Sequence, residues 1–304
     1  DTGEPHGQTV RADVTATMGL PKRGMVESNA RDHVGALEVV DIGIPWEFVE
    51  ETDCDTGLEL NYITDLKSLF IRRDRNSHKG HYGHVLIIGG AVGYAGAITM
   101  ACRAAVRSGV GLVTCVVPDQ IWDVVAGGSP ETMVYPAKET AHGSLSSELW
   151  ADWQRSLDKF DAVLVGPGMT RHNETLLLVR EILRESSKPV VIDADAIAVL
   201  AHQPDWLAKA TCPVTITPHP GELAQLFGQH VNEVQSHREG MALAAAKYTN
   251  ATVVLKGAGT IVAQSEHPCI VNLTGNPGMA TGGGGDVLAG LIVGLIGQGL
   301  PPYD

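Results

Sequence analysis

Aromatic residues are scarce in this 304-residue chain, 5% of the sequence against 44% hydrophobic residues in total. A core must therefore come from aliphatic side chains, while 35 glycines supply many tight turns, a balance that suits an α/β protein. Basic residues are also few: 22 Lys and Arg stand against 35 Asp and Glu, for a formal net charge of −13. That argues against nucleic acid or an anionic membrane as a partner, since both are held chiefly by Lys and Arg, and any phosphate must be gripped locally. The five cysteines, Cys54, Cys102, Cys115, Cys212 and Cys269, are scattered without a C-x-x-C spacing, which speaks against a disulfide framework or a zinc site. No run is long and apolar enough to span a bilayer, and the opening DTGEPHGQTV lacks the layout of a signal peptide. Cytoplasm is the expected location. The sequence has no initiator methionine and stops at Asp304, just after Leu300-Pro301-Pro302, so both ends are expected to be cut.

What is present begins with alternation. TVRADVTATM (Thr9 to Met18) and GALEVVDIGI (Gly35 to Ile44) read as strands around a PKRG turn at 21–24, and the acidic EFVEETDCD at 47–55 reads as a linker. After Arg72 strands and helices alternate. HVLIIGG, LVTCVVP, DAVLVGPGM, PVVIDAD and VTITPHP are strands. AGAITMACRAAVRSG, LSSELWADWQRSLDKF, ETLLLVREILRES and HREGMALAAAKYTN are helices, with a short strand near 132–135, a short helix near 121–125 and a hairpin in ATVVLKGAGTIVA. The continuous Val/Ile/Leu runs fit a parallel sheet covered on both faces, whose ligands bind beyond the strand C-termini.

The densest chemistry lies in NLTGNPGMATGGGGDVLAG, Asn272 to Gly290, where four consecutive glycines precede Asp286 at the mouth of an apolar helix. Successive glycine N–H groups can turn toward one anion, and the helix dipole adds to the pull. A plain N-cap is the simpler role for Asp286, but a cap needs no four glycines in front of it.

Other strand ends add weaker signals. The loop from Gly89 to Ala97, GGAVGYAGA, looks like a dinucleotide turn without the acid that should follow; close packing explains it equally well. Gly166-Pro167-Gly168-Met169 is a bare backbone or an ordinary turn. His219 sits between two prolines in Thr217-Pro218-His219-Pro220-Gly221-Glu222, so its ring is aimed, although taken singly a structural or exposed histidine is the simpler reading. Lys256-Gly257-Ala258-Gly259-Thr260 offers an ammonium, amides and a hydroxyl to a phosphate; a solvated hairpin lysine is the simpler reading, and it loses weight only because Asp286 and its glycines follow downstream. His78, His81 and His84 have metal-like spacing but no supporting carboxylate. Asp193 and Asp195 suit contact with hydrated magnesium, an N-cap serving as well for Asp195; neither ranks as catalytic.

Taken together, these blocks from Arg72 to the end closely resemble the ADP/ATP-dependent NAD(P)H-hydrate dehydratase family. The resemblance implies a ribokinase-like α/β fold, a mostly parallel central sheet with helices on both faces. The opening DTGEPHGQTVRADVTATMGLPKRG with VGALEVVDIGIP resembles the last part of an NAD(P)H-hydrate epimerase domain. It implies a short β-rich remnant over 1–50, a linker and lead-in over 51–71, and a dehydratase domain over 72–304 that is cut at its C-terminus; no epimerase activity is expected. Position by position, Ala97, Gly168 and His219 would border the hydrated nicotinamide nucleotide. Asp286 would meet its reacting hydroxyl as the catalytic base. Lys256, Gly257, Ala258, Gly259 and Thr260, with Asn276, Pro277, Gly278, Met279, Ala280, Thr281, Gly282, Gly283, Gly284 and Gly285, would bind the phosphate donor. Gly284 departs from the Ser or Thr usual there. The implied reaction is nucleotide-driven dehydration of the S form of hydrated NADH or NADPH, with ADP or ATP as phosphoryl donor, Mg2+ present, phosphate released, no protein residue assigned as metal ligand, and a homo-oligomeric protein. A kinase for a vitamin precursor or sugar, and a noncatalytic nucleotide-binding protein, are the competing readings.

Overall fold

One ten-stranded sheet organises the chain, in the order β3-β12-β11-β10-β9-β8-β7-β4-β5-β6. Its strands are β3 (Leu58–Leu60), β4 (His84–Ile88), β5 (Leu112–Pro118), β6 (Met133–Ala137), β7 (Ala162–Val165), β8 (Val190–Ile192), β9 (Val214–Ile216), β10 (Thr252–Leu255), β11 (Thr260–Ala263) and β12 (Cys269–Asn272). All pairs are parallel except those of β11, which runs against β10 and β12. The computed structural model describes residues 3–51, 57–61, 66–70 and 72–304.

Burial on both faces follows from the period-two geometry of a strand. In β4, Val85 and Ile87 join one apolar cluster while Leu86 and Ile88 join the other, and all four are fully buried. Helices α1 (Ala95–Ser108) and α5 (Gly284–Gly297) cover the first face, contributing Ile98, Ala101, Ala289 and Val293. Helices α2 (Asn173–Glu185), α3 (Pro220–Phe227) and α4 (Arg238–Thr249) cover the second through Leu178, Leu223 and Ala245. Each fully buried Leu, Ile or Val stabilises the fold by about 1.5–3 kcal/mol before entropy is counted. The α1–α5 contact depends on absent side chains: a Cβ on Gly290 would overlap the carbonyl oxygen of Ala101, and one on Gly294 would overlap the Ser108 hydroxyl.

The N-terminal part forms a separate two-stranded parallel sheet, β1 (Val14–Met18) with β2 (Ala36–Val40). Here expectation and structure differ locally. PKRG does not stop as a turn, because Arg23–Val26 winds into a helical turn in which the Met25 amide donates to Lys22. Trp46–Glu51, which runs into the expected linker, is also helical, while 52–56 lie outside the described residues. Further along, Leu58–Leu60 adds an edge strand to the large sheet by pairing with β12. The helix expected from Leu145 begins only at Leu149, since Ser147 gives both its amide and its hydroxyl to the Glu174 carboxylate. Among the described residues, no helix is long and apolar enough to cross a membrane.

A candidate active site at the sheet switch point

Strands β4 and β7 are neighbours, yet the chain leaves β4 toward β5 and β6 and leaves β7 toward β8, β9 and β10. Loops that diverge in this way open a crevice at the strand C-termini. The two loops are stitched together there by the Gly90 amide donating to the Pro167 carbonyl at 2.8 Å. Gly168 has φ of 65°, and a Cβ on it would lie 2.8 Å from the Tyr94 carbonyl oxygen and 3.2 Å from the Ala97 Cβ. Ala97 and Gly168 thus share one wall, held close because neither has a bulky side chain.

Asp286 enters this crevice from the first turn of α5. It is not the N-cap: that position belongs to Gly283, in the left-handed region at φ of 89°. The Asp286 carboxylate makes no hydrogen bond or ion pair among the described residues. Burial pushes its pKa up to about 6, with the charge of Asp193 adding to the rise, Lys256 opposing it and Asp195 contributing last. Ahead of it, Asn276 accepts from the Gly278 amide at 2.9 Å and shapes a short 3-10 turn over Pro277–Met279. The amides of Met279, Ala280, Thr281 and Gly284 bond within the loop, Gly284 to the Thr281 carbonyl at 3.3 Å. The amides of Gly282, Gly283, Gly285 and Asp286 have no acceptor among the described residues. Four donors at a helix N-terminus, beside an unpaired base, make a cradle for an anion.

Under the cradle lies a buried charge cluster. Lys256 Nζ sits 2.9 Å from Asp193 Oδ1 and 3.6 Å from Glu222 Oε2, and Thr217 donates to the same Asp193 oxygen at 2.6 Å. A Cβ on Gly285 would be 3.4 Å from Lys256 Nζ and 3.9 Å from Asp193 Oδ2, so the cluster abuts the cradle directly. Asp193 Oδ2 is buried without a donor. Glu222 closes a capping box on α3: it accepts from the His219 amide at 2.7 Å, while His219 Nδ1 accepts from the amides of Gly221 and Glu222. That pattern assigns the imidazole proton to Nε2, on an exposed ring. Burial raises the pKa of Glu222 against the pull of Lys256.

The second loop, 256–260, is pinned from behind. Arg238, 6% exposed, donates through Nη2 to the carbonyls of Leu255, Lys256 and Gly259. Gly257 has φ of 142° with this guanidinium 2.9 Å from where its Cβ would stand. Thr260 Oγ1 donates to the Gly257 carbonyl, so its hydroxyl proton is spent inside the loop. The amides of Gly257, Ala258 and Gly259 have no acceptor among the described residues.

Thr217, Glu222 and Arg238 were not candidates from sequence, and Asp193 was weighed only for contact with hydrated magnesium, although each is central here. Asp195 is no N-cap; it accepts from the Thr170 amide and pairs with Arg171. The histidines near residue 80 have local partners: His78 accepts from the Gly80 amide and its ring lies tilted against that of His81, and His84 bonds Thr114 at 2.8 Å. Among the described residues, no three His, Cys, Asp or Glu are grouped to hold a metal directly.

The model of the NAD(P)H-hydrate dehydratase family matches residues 85–304, which span the crevice and both loops. The chain belongs to the NAD(P)H-hydrate dehydratase family. Bifunctional NAD(P)H-hydrate repair enzymes from Moorella thermoacetica and Thermofilum pendens are 40% and 36% identical over 302 and 303 residues. Each alignment covers 99% of this chain, but only 57% and 56% of the relative, so the chain spans little more than half their length. A ribokinase-like superfamily protein from Enterococcus faecalis superposes with a TM-score of 0.69 at 27% identity, covering 82% of this chain and 83% of that one. The ADP/ATP-dependent NAD(P)H-hydrate dehydratase of Bacillus subtilis, co-crystallised with ATP and Mg2+, gives 0.64 at 31% identity, covering 77% and 79%. The dehydratase-family domain has the ribokinase-like fold.

Proposed function

We propose that this chain carries out nucleotide-dependent dehydration of the S form of hydrated NADH or NADPH, a repair reaction that returns the reduced dinucleotide and releases phosphate. The observation that carries the reading is Asp286, half-buried, with a pKa raised to about 6 and no partner among the described residues, beside four amides likewise unengaged there. Family membership supports the same reading. A base with a pKa just below neutrality is deprotonated at working pH yet basic enough to take an alcohol proton in a transition state.

In this mechanism Asp286 takes the proton of the ring hydroxyl as its oxygen attacks the terminal phosphoryl group of ADP or ATP. The bond from that phosphorus to the bridging oxygen breaks, and the shortened nucleotide leaves with the electron pair. The new phosphate ester is a good leaving group. The ring nitrogen lone pair expels it as phosphate, and loss of a proton from the adjacent carbon restores the dihydronicotinamide. The amides of Gly282, Gly283, Gly285 and Asp286 would bind the transferring group, and Lys256, held by Asp193 and Glu222, would add positive charge beside it. Ala97, Gly168 and His219 would border the nicotinamide, His219 as a donor through Nε2. The loops 256–260 and 276–285 would hold the donor nucleotide through their backbone, so Gly284 in place of a hydroxyl residue removes a side-chain donor and leaves the main-chain grip.

The orphaned Asp193 Oδ2 is a hard oxygen acceptor beside the cradle, which fits hydrated Mg2+ accompanying the nucleotide. When bound, the ion would supply charge neutralisation of the phosphates. Cytoplasmic residence, with the cofactor pool being repaired, and a homo-oligomeric state belong to the same proposal.

The test is incubation of the protein with chemically hydrated NADH, Mg2+ and either ADP or ATP, following reduced-nicotinamide absorbance and phosphate together. Both should rise in step. A stable phosphorylated product without recovered absorbance would identify a kinase, and nucleotide binding with neither signal would identify a noncatalytic binder; either result overturns the proposal.

A further inference from the structure

Among the described residues the cationic side chain of Arg31 has no partner, in a chain that carries an excess of acids. It lies in the N-terminal segment, on the short helix Arg31–Val34, far in sequence from either nucleotide loop. The fold nevertheless brings it to one of them. Its guanidinium carbon is 3.6 Å, and its Nη1 3.7 Å, from where a Cβ on Gly259 would stand. Among the described residues it makes no hydrogen bond and has no carboxylate within 4.0 Å, although it is half-buried and burial lowers its pKa.

Its surroundings make this costly. Arg238 stands close enough for the two guanidinium groups to disfavour each other, and Arg238 is committed to three carbonyls of the loop. The neighbouring acids are already engaged: Glu239, the residue after Arg238, pairs with Arg23 at 2.5 Å, and Glu27 lies 3.6 Å from the same arginine. On the other side, the amides of Gly257, Ala258 and Gly259 have no acceptor among the described residues. The place therefore gathers two guanidinium charges and three N–H donors, with no carboxylate paired to either guanidinium among the described residues, a set that an anion with several oxygens completes. The Arg23–Glu239 pair also holds the N-terminal segment against α4, so Arg31 is delivered to the loop by a built contact.

We infer that Arg31 is a phosphate-binding residue of the nucleotide site, contributed by the N-terminal segment to the loop 256–260. The inference rests on the proposed reading of that loop as part of a nucleotide site. Arginine suits the task because its planar fork can bond two phosphate oxygens at once, which lysine cannot do. A consequence is that affinity for the phosphoryl donor depends on a segment outside the dehydratase-family match, which begins at residue 85.

The experiment is calorimetric titration of the full chain and of its Arg31→Ala and Arg31→Lys variants with ADP and, separately, with adenosine. Arg31→Ala is expected to weaken ADP binding about tenfold, the size of one lost charged hydrogen bond, and to leave adenosine binding unchanged. Arg31→Lys should fall between. Unchanged ADP affinity in Arg31→Ala, with the parent chain binding ADP, overturns the inference alone. Equal weakening of ADP and adenosine also overturns it, by assigning Arg31 a packing role. A parent chain that binds no ADP removes the nucleotide site itself, and with it both readings.

Discussion

Helix α5 carries glycines of two opposite kinds within four turns. At its entrance Gly282 has nothing within 4 Å of a Cβ position, and its amide and that of Gly283 have no acceptor among the described residues. Farther on, Gly290 and Gly294 are packed so tightly against Ala101 and Ser108 that any side chain would collide. The first group leaves space and donors for a ligand; the second removes space so that two helices can approach. A run of glycine in a sequence therefore does not reveal which job it does, and the separation of the two must be tested by substitution.

The largest expected effect is at the open end. Asp286→Asn keeps the shape and removes the base, and should lower turnover by about 10²–10⁴-fold while ADP still binds. In the parent chain, kcat/KM should rise with pH through about 6 as Asp286 loses its proton. The stability linkage runs the other way. A carboxyl whose folded pKa lies above its unfolded value stabilises fully below the unfolded value, and that contribution is lost as pH rises through about 6. Near neutral pH, then, Asp286→Asn should be the more stable protein in thermal melts, and the advantage should vanish in acid. Near-normal turnover by this variant would remove the catalytic role.

Next comes the cluster that supports the cradle. Lys256→Met would leave Asp193, 1% exposed, and Glu222, 9% exposed, without their cation, at a cost of about 3–5 kcal/mol in denaturant unfolding. The loss should shrink as pH falls, because burial raises the pKa of Glu222 and lets it take up a proton more readily than an ordinary glutamate. At the packed end, Gly290→Ala should cost about 1–3 kcal/mol by forcing α5 away from α1, with the unfolding midpoint as the readout.

Much of the fold was legible before the structure, and the limits of that reading are physical. The parallel strands were marked by continuous aliphatic runs such as VLII, and the candidate site by glycines followed at once by Asp286. These signals are local. The Lys256–Asp193 pair joins residues 63 apart, and nothing in VVIDAD says that the first aspartate is buried under a lysine from another strand. Arg238 was equally silent, because a helix-starting arginine looks solvated until the fold aims it at three carbonyls. Strand β12 was missed because CIVN is too short to stand out from the turns beside it. The cap expected as the alternative for Asp286 fell to Gly283, whose left-handed backbone lets the helix begin three residues earlier.

The smallest expected effect is the sharpest test of the comparison. Gly282→Ala adds one methyl where no neighbour lies within 4 Å and where φ is not in the left-handed region, so stability should change by less than about 0.5 kcal/mol. The methyl would nevertheless occupy space that a phosphate must enter to reach the amides, and ADP affinity should fall several-fold in calorimetry. Gly290→Ala reverses the pattern, with unfolding affected and nucleotide affinity preserved in the folded fraction. If Gly282→Ala destabilised the chain as much as Gly290→Ala, the entrance glycines would be packing residues and the distinction would fail. If it left both stability and ADP affinity untouched, the nucleotide would not approach the backbone there, and the cradle would have to lie nearer Gly285, where Lys256 already stands.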